Sequence, residues 1–221
     1  DGRIRKDFAL RARFWRAAGN AEKFPDPGIA PGSLFCVREA DMDGAEHIIM
    51  DADGMRRTFV RLAHEIDERD PGAELALVGI RRGGEYVARR MQKCLSEVTG
   101  REVPCGGVDI GMQRDDLVSA YFLPEYTRNK LDFSVDGKTV ILCDDVLHTG
   151  RTVRAAIEAV FRLGRPRAVR LLELVDRGGR ELPVRADFVG KNVPTARSEY
   201  VKVYFTERNG EDKVVVGREK D

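Results

Sequence analysis

Three short runs, LALVGI (75–80), VILC (140–143) and AVRLLELV (168–175), are apolar almost without interruption, and they restrict this chain's fold more than any other feature. A strand covered on one face alternates apolar and polar residues, whereas a run apolar at nearly every position must be covered on both. The intervening segments supply the cover. After Asp53, a fair N-cap, Met55, Phe59, Leu62, Ala63 and Ile66 recur at helical spacing until Asp70-Pro71-Gly72 stops them. Val87, Met91, Leu95 and Val98 mark a second helix closed by Gly100. Val153, Ile157, Val160 and Phe161 form the inward face of a third helix over 152–163, with Gly164 as its cap and Glu158 placed to pair with Arg154 and Arg162. Apolar strands alternating with amphipathic helices predict parallel βαβ units and an α/β fold. VPCGGVDI (103–110) is a weaker strand, and residues 111–139, which show no clean period, read as a functional flap. At the end, YVKVYF and KVVV flank Glu207-Arg208-Asn209-Gly210, whose Asn-Gly predicts an antiparallel hairpin.

The VILC run leads straight into Asp144 and Asp145, and Thr149-Gly150-Arg151-Thr152 follow where the third helix begins. In an open parallel sheet ligands sit outside the carboxyl ends of the strands, where the next helix presents unpaired N–H groups and the positive end of its dipole. Two carboxylates suit vicinal hydroxyls or a hydrated divalent metal, and a Thr/Gly turn offers hydroxyl and amide donors to a phosphate monoester. Either pair alone reads as readily as a turn or an N-cap. Both together, in this order after an apolar strand, describe a site for a sugar phosphate.

Composition sets outer limits. With 221 residues, 42% of them hydrophobic, the chain can bury one core and carry an appendage. A net charge of +1 leaves no global field for nucleic acid or membrane, so any RNA binding must come from local clustering. The four cysteines show no CxxC spacing and three sit in apolar surroundings, which points to reduced, packed thiols. No apolar run approaches the roughly 18 residues of a membrane span, and the first residue is Asp, so residues before it are expected to have been lost or cleaved. Residues 1–46 differ in texture from the rest. Residues 3–18 carry six Lys/Arg against one acid and place Ile4, Phe8, Ala12 and Trp15 near one helical face, and a Pro/Gly-rich stretch follows. This reads as a basic arm, 1–46, preceding a compact domain, 47–221.

VILCDDVLHTGRT resembles the phosphoribosyl pyrophosphate (PRPP) motif of type I phosphoribosyltransferases. MRRTFVRLAHEIDERD, QRDDL, LGRPRAVRLLELVDRG and above all RELPVRADFVGKNVPTARSE extend the likeness to the PyrR family of pyrimidine operon attenuators and uracil phosphoribosyltransferases, over roughly residues 47–221. The resemblance implies a parallel sheet flanked by helices with a small hood, homodimers or larger oligomers, and transfer of phosphoribose from PRPP to uracil, giving UMP and pyrophosphate with Mg2+ present. It also implies roles. Asp144 and Asp145 would hold the ribose hydroxyls, directly or through water or metal, and Thr149, Gly150, Arg151 and Thr152 the 5′-phosphate. Arg114 and Asp115 would sit on the flap near pyrophosphate and its magnesium, and Arg81, Arg82 and Gly83 would form the loop that binds the pyrophosphate of PRPP. Phe188 would lie on the base, with the Val189 backbone, Asp176 and Lys191 at its polar edge. The family's second ligand, pyrimidine-leader RNA, would meet His64, Arg180, Arg185 and Lys191.

Some positions depart from the family pattern. Arg82 stands at the usual threonine of the pyrophosphate loop and Gly83 at the usual arginine, so one charge has moved by a residue. Gly83→Arg is expected to restore it and lower the KM for PRPP. His148 replaces an aromatic residue before the Thr-Gly turn, Gln113 another before QRDDL's arginine, and Val60 a threonine one turn before His64. Three readings follow: an active uracil phosphoribosyltransferase that also binds RNA, a regulator with vestigial catalysis, and a phosphoribosyltransferase fold recruited into a larger assembly through residues 1–46. Bacterial cytoplasm is the expected compartment, with an organelle matrix as the alternative, because a basic, acid-poor start also suits the remainder of a transit peptide.

Overall fold

A computed structural model describes residues 46–110 and 131–218. The expected arm up to residue 45, and with it Phe8 and Trp15, lies outside the described residues, as do Gln113, Arg114 and Asp115.

The elements run in the order β1 (His47–Met50), α1 (Ala52–Arg69), β2 (Leu75–Ile80), α2 (Gly83–Thr99), β3 (Cys105–Val108), β4 (Thr139–Leu147), α3 (Arg151–Leu163), β5 (Ala168–Asp176), β6 (Phe188–Asn192), β7 (Glu199–Tyr204), α4 (Thr206–Asn209) and β8 (Lys213–Arg218). Strands β3-β2-β4-β5-β6 form a five-stranded sheet, parallel throughout. Helices α1 and α2 cover one face through Met55, Phe59, Leu62, Val87 and Met91, and α3 covers the other through Val153, Ala156 and Val160. All six residues of LALVGI are buried, as a strand sandwiched between helices requires.

Local chemistry sets the element ends. The N-cap of α1 is Asp51, whose side chain accepts from the Gly54 N–H at 2.7 Å, rather than Asp53, which lies in the first turn and pairs with Arg56 at 3.4 Å. Gly100 closes α2 in the left-handed region. The inward face of α3 differs from expectation: Phe161 is 57% exposed, and Ala155, Ala156 and Ala159 fill the interface. Phe161 follows the buried Val160 and is therefore turned about 100° away from it, while small residues let the helix approach the sheet closely.

A second sheet of order β1-β8-β7, antiparallel throughout, forms the hood. The expected hairpin is β7–β8, but its connection is a helical turn closed by Gly210 at φ +79° rather than a two-residue loop. The sequence did not announce β1 as a strand. Glu46, just ahead of it, accepts hydrogen bonds from Tyr200 and Tyr204. The hood buries Met50, Val203, Phe205 and Val214 in the main core, and one arginine ties it to α2 by ion pairs. Arg90, 18% exposed, meets Glu207 at 2.6 Å and Asp212 at 2.7 Å and lies 5.1 Å from the ring centre of Phe205, itself in the main core. Burial alone would push the Arg90 guanidinium down; the hydrogen bonds to Asp212 and Glu207 more than offset it, so its pKa is raised.

Candidate active site

The candidate centre is the carboxyl end of β4. The strand does not stop at Asp144 but continues to Leu147, pairing with β5 as far as Asp176. The side chains of Asp144 and Asp145 accept from the next residue's N–H, each at 3.0 Å, so both carboxylates are held within an extended backbone. Successive strand residues face opposite sides. Val140 and Leu142 pack with α3 and Ile141 and Cys143 with α1 and α2, so Asp144 belongs to the α3 side and Asp145 to the α2 side. Each carboxylate thus flanks a different loop.

On the α2 side that loop is Arg81-Arg82-Gly83-Gly84. A Cβ on Gly84 would lie 2.1 Å from the Cys143 carbonyl oxygen, so the strand backbone requires glycine there, and one on Gly83 would lie 2.1 Å from Asp145 Oδ2 and could enter only by displacing that carboxylate. This corrects the expectation for Gly83→Arg: the space for any side chain there is taken by Asp145. Arg81 is tied to Glu85 at 2.9 Å and to Asp109 at 3.6 Å. Arg82 is exposed and has no hydrogen bond or ion pair among the described residues, which leaves its guanidinium available to an anion.

On the α3 side Gly150, at φ +91°, occupies the N-cap and supplies no capping side chain, while Thr149 Oγ1 accepts from the Arg151 N–H at 3.4 Å. The turn after β5 folds over this loop: Thr149 O accepts from the N–H groups of Glu181 and Leu182 at 3.0 and 3.1 Å, and Arg151 Nε donates to Glu181 at 2.8 Å. His148 is exposed, its Nε2 2.8 Å from where a Cβ on Gly179 would stand. Its pKa is lowered by partial burial and by the charges of Arg177 and Arg180, partly offset by Glu181.

Sequence reading passed over two charged residues. Glu173, paired in register with Asp144, is 0% exposed, and neither carboxylate oxygen has a hydrogen-bond partner among the described residues. Burial, then the charges of Asp144 and Asp145, holds it well above the usual carboxylate range. The signal was a lone acid inside LLELV. Arg208, exposed on α4 with no side-chain partner among the described residues, is the second. Burial raises the Asp145 carboxyl, and hydrogen bonds together with the charge of Arg208 pull it back.

The residues expected at the base are not gathered in the same way. The Phe188 ring is 3% exposed, sits in the core on the α1 side and lies 5.5 Å from the Arg69 guanidinium, so neither of its faces is open to a base. The Val189 carbonyl accepts from Arg61 at 3.1 Å, and Asp176 is bonded to Gly178 N–H and Arg180. Lys191 Nζ donates to the Ile49 carbonyl at 2.6 Å and lines a cavity of about 660 Å³ with Ile48, Arg57, Thr58 and Arg61. That cavity lies on the α1 side of β6. His64 is exposed one turn beyond Arg61, and Arg185 is exposed before β6.

Residues 49–204 match the phosphoribosyl transferase domain family, and the chain belongs to it. The fold agrees: the hypoxanthine phosphoribosyltransferase of Trypanosoma cruzi aligns with a TM-score of 0.60 at 22% identity, covering 80% of this chain and 98% of that one. That of Staphylococcus aureus gives 0.58 at 20% identity, covering 85% and 96%. Within the class, the bifunctional protein PyrR of Thermus thermophilus is 53% identical over 167 residues, 75% of this chain and 92% of the relative, and that of Clostridioides difficile is 48% identical over 169 residues, 76% and 96%. The chain is a member of the PyrR family.

Proposed function

We propose that this chain transfers phosphoribose from PRPP to uracil, forming UMP and pyrophosphate, and that it also binds pyrimidine-leader RNA. The observation that carries the proposal is the division of labour around β4: Asp145 lies against the glycine-rich loop of Arg82, and Asp144 stands on the opposite face of the same strand, whose next loop carries Thr149 and Gly150 into the N-terminus of α3. In the transfer, the bond from ribose C1 to pyrophosphate oxygen breaks, the bond to uracil N1 forms, and N1 loses its proton. The transition state carries oxocarbenium character, so what the protein must supply is orientation, charge and exclusion of water. Thr149, Gly150 and the first N–H groups of α3 would grip the 5′-phosphate. Asp144 and Asp145, on opposite faces of the strand end, would accept from the ribose hydroxyls, and Arg82 would meet the pyrophosphate.

The donor set fits Mg2+ arriving with the substrate. Among the described residues no group of three acidic, His or Cys side chains could hold an ion alone, and Mg2+ is commonly bound by one or two carboxylates, water and phosphate oxygens. When bound it would neutralise the leaving diphosphate, with Asp144 or Asp145 holding its waters. The RNA face we assign to His64 and Lys191, joined by Arg57 and Arg61 beside the cavity, with Arg185 on the segment entering β6. We further infer homo-oligomers, a cytoplasmic setting and a separate arm over residues 1–46; no described helix is long and apolar enough to cross a membrane.

The decisive experiment is UMP formation from uracil, PRPP and Mg2+ by the wild type and by the double variant Asp144→Asn, Asp145→Asn. Asparagine retains an oxygen for the neighbouring N–H groups, so the fold should persist while turnover disappears. A folded double variant with near wild-type turnover would refute the assignment.

A further inference from the structure

The loop at 149–152 is shaped largely from outside. Gly150 lies in the left-handed region and offers no capping side chain, and among the described residues the bonds within the loop are Arg151 N–H on Thr149 Oγ1 at 3.4 Å and the first bond of the helix, Arg154 N–H on the Gly150 carbonyl. The turn over 178–184 surrounds it, and Arg180 is the hub of that turn. Its Nη1 donates to the His148 carbonyl at 2.9 Å and to the Gly178 carbonyl at 3.3 Å, its Nε donates to the Val184 carbonyl at 3.0 Å, and its Nη2 donates to Asp176. Four of the roughly five N–H donors of a guanidinium are thereby spent, and the side chain is only 22% exposed. The acceptors span three places: the residue immediately before Thr149, the end of β5, and Val184, whose side chain packs 3.3 Å from the Cβ position of Gly150. A planar fork of fixed geometry can join those places; a flexible ammonium cannot reproduce it.

We infer that Arg180 is a positioning residue for the phosphate-binding loop, setting the distance between the Thr149–Gly150 turn and the end of β5. The inference rests on the reading of 149–152 as the 5′-phosphate site.

Ribose 5-phosphate binding to the full chain, followed by calorimetry, tests this directly, together with the KM values for PRPP and uracil. Arg180→Gln should raise the Kd for ribose 5-phosphate roughly tenfold or more, the scale expected when a binding loop is misplaced by an ångström or less. The PRPP KM should rise in parallel while the uracil KM stays constant, a split that general loss of structure would not produce. Should Arg180→Gln fail to fold, Arg180→Lys, which keeps the charge and stem but not the fork, carries the test and should also bind more weakly. Unchanged ribose 5-phosphate binding in either folded variant overturns the inference, and weakened leader-RNA binding in the same variant would return Arg180 to the RNA face. A wild type that binds no ribose 5-phosphate removes the phosphate-site reading itself, and the inference with it.

Discussion

Glu173 makes the stability of this protein depend on pH in an unusual direction, and Glu173→Leu is the perturbation that exposes it. The carboxyl is fully buried without a hydrogen-bond partner among the described residues, and burial plus the neighbouring Asp144 and Asp145 raise its folded pKa well above that of an unfolded glutamate. Below the unfolded value of about 4.3, both states are protonated and the group contributes no slope. Above it the unfolded chain sheds a proton that the folded chain retains, so stability falls by about 1.4 kcal/mol per pH unit until the folded pKa is passed. Leucine at 173, among Leu171, Val189 and other apolar neighbours, removes the titration and keeps most of the volume. Urea unfolding at pH 5, 6 and 7, with equal m-values for the two proteins, measures the difference. The variant's advantage should widen with pH at close to that slope, a gain of about 2–3 kcal/mol over two units if the folded pKa lies beyond the range. Parallel stability curves would mean that Glu173 ionises normally in the folded state and that an unseen partner satisfies it.

Gly83→Ala and Gly83→Arg should both weaken PRPP binding, the arginine no less than the alanine, because the first added atom meets Asp145 at 2.1 Å; a lower PRPP KM in Gly83→Arg would show that the loop moves away from β4 at little cost. Arg61→Ala with Lys191→Ala should flatten the salt dependence of leader-RNA binding, each lost phosphate contact reducing the log–log slope by about 0.7. An unchanged slope, measured by filter binding across a salt series, would move the RNA face off the α1–β6 cavity.

What could be read from the amino-acid order follows from how strongly each residue is constrained locally. LALVGI is apolar at every position because both its faces are covered, and nothing but a sandwiched strand meets that demand. Asp144 and Asp145 were legible for a related reason: carboxylates at the end of such a strand need a polar task. The four residues of β1 were not, since Ile48 is exposed and the strand exists only because β8 lies beside it. Phe161 misled because a helix of thirteen residues gives its period too few repeats to separate an edge position from an inward one. The base-side set misled differently. Order along β6 does not reveal that Phe188 turns toward α1 and Val189 toward the opposite face, nor that Arg61 has already claimed the Val189 carbonyl.

The hood's composition bears on when it can exist. His47 pairs with Val216, so the contact between β1 and β8 closes a loop of roughly 170 residues, a separation that places it among the slowest and entropically most expensive contacts in the chain. On the ribosome, the five-stranded sheet has all its strands while β7 and β8 are still being made, and β1 must wait without a partner. A protein assembled in that order completes its core last: Met50 of β1 and Val203, Phe205 and Val214 of the hairpin enter the α1–α2 side of the core only once the sheet beneath them has been made.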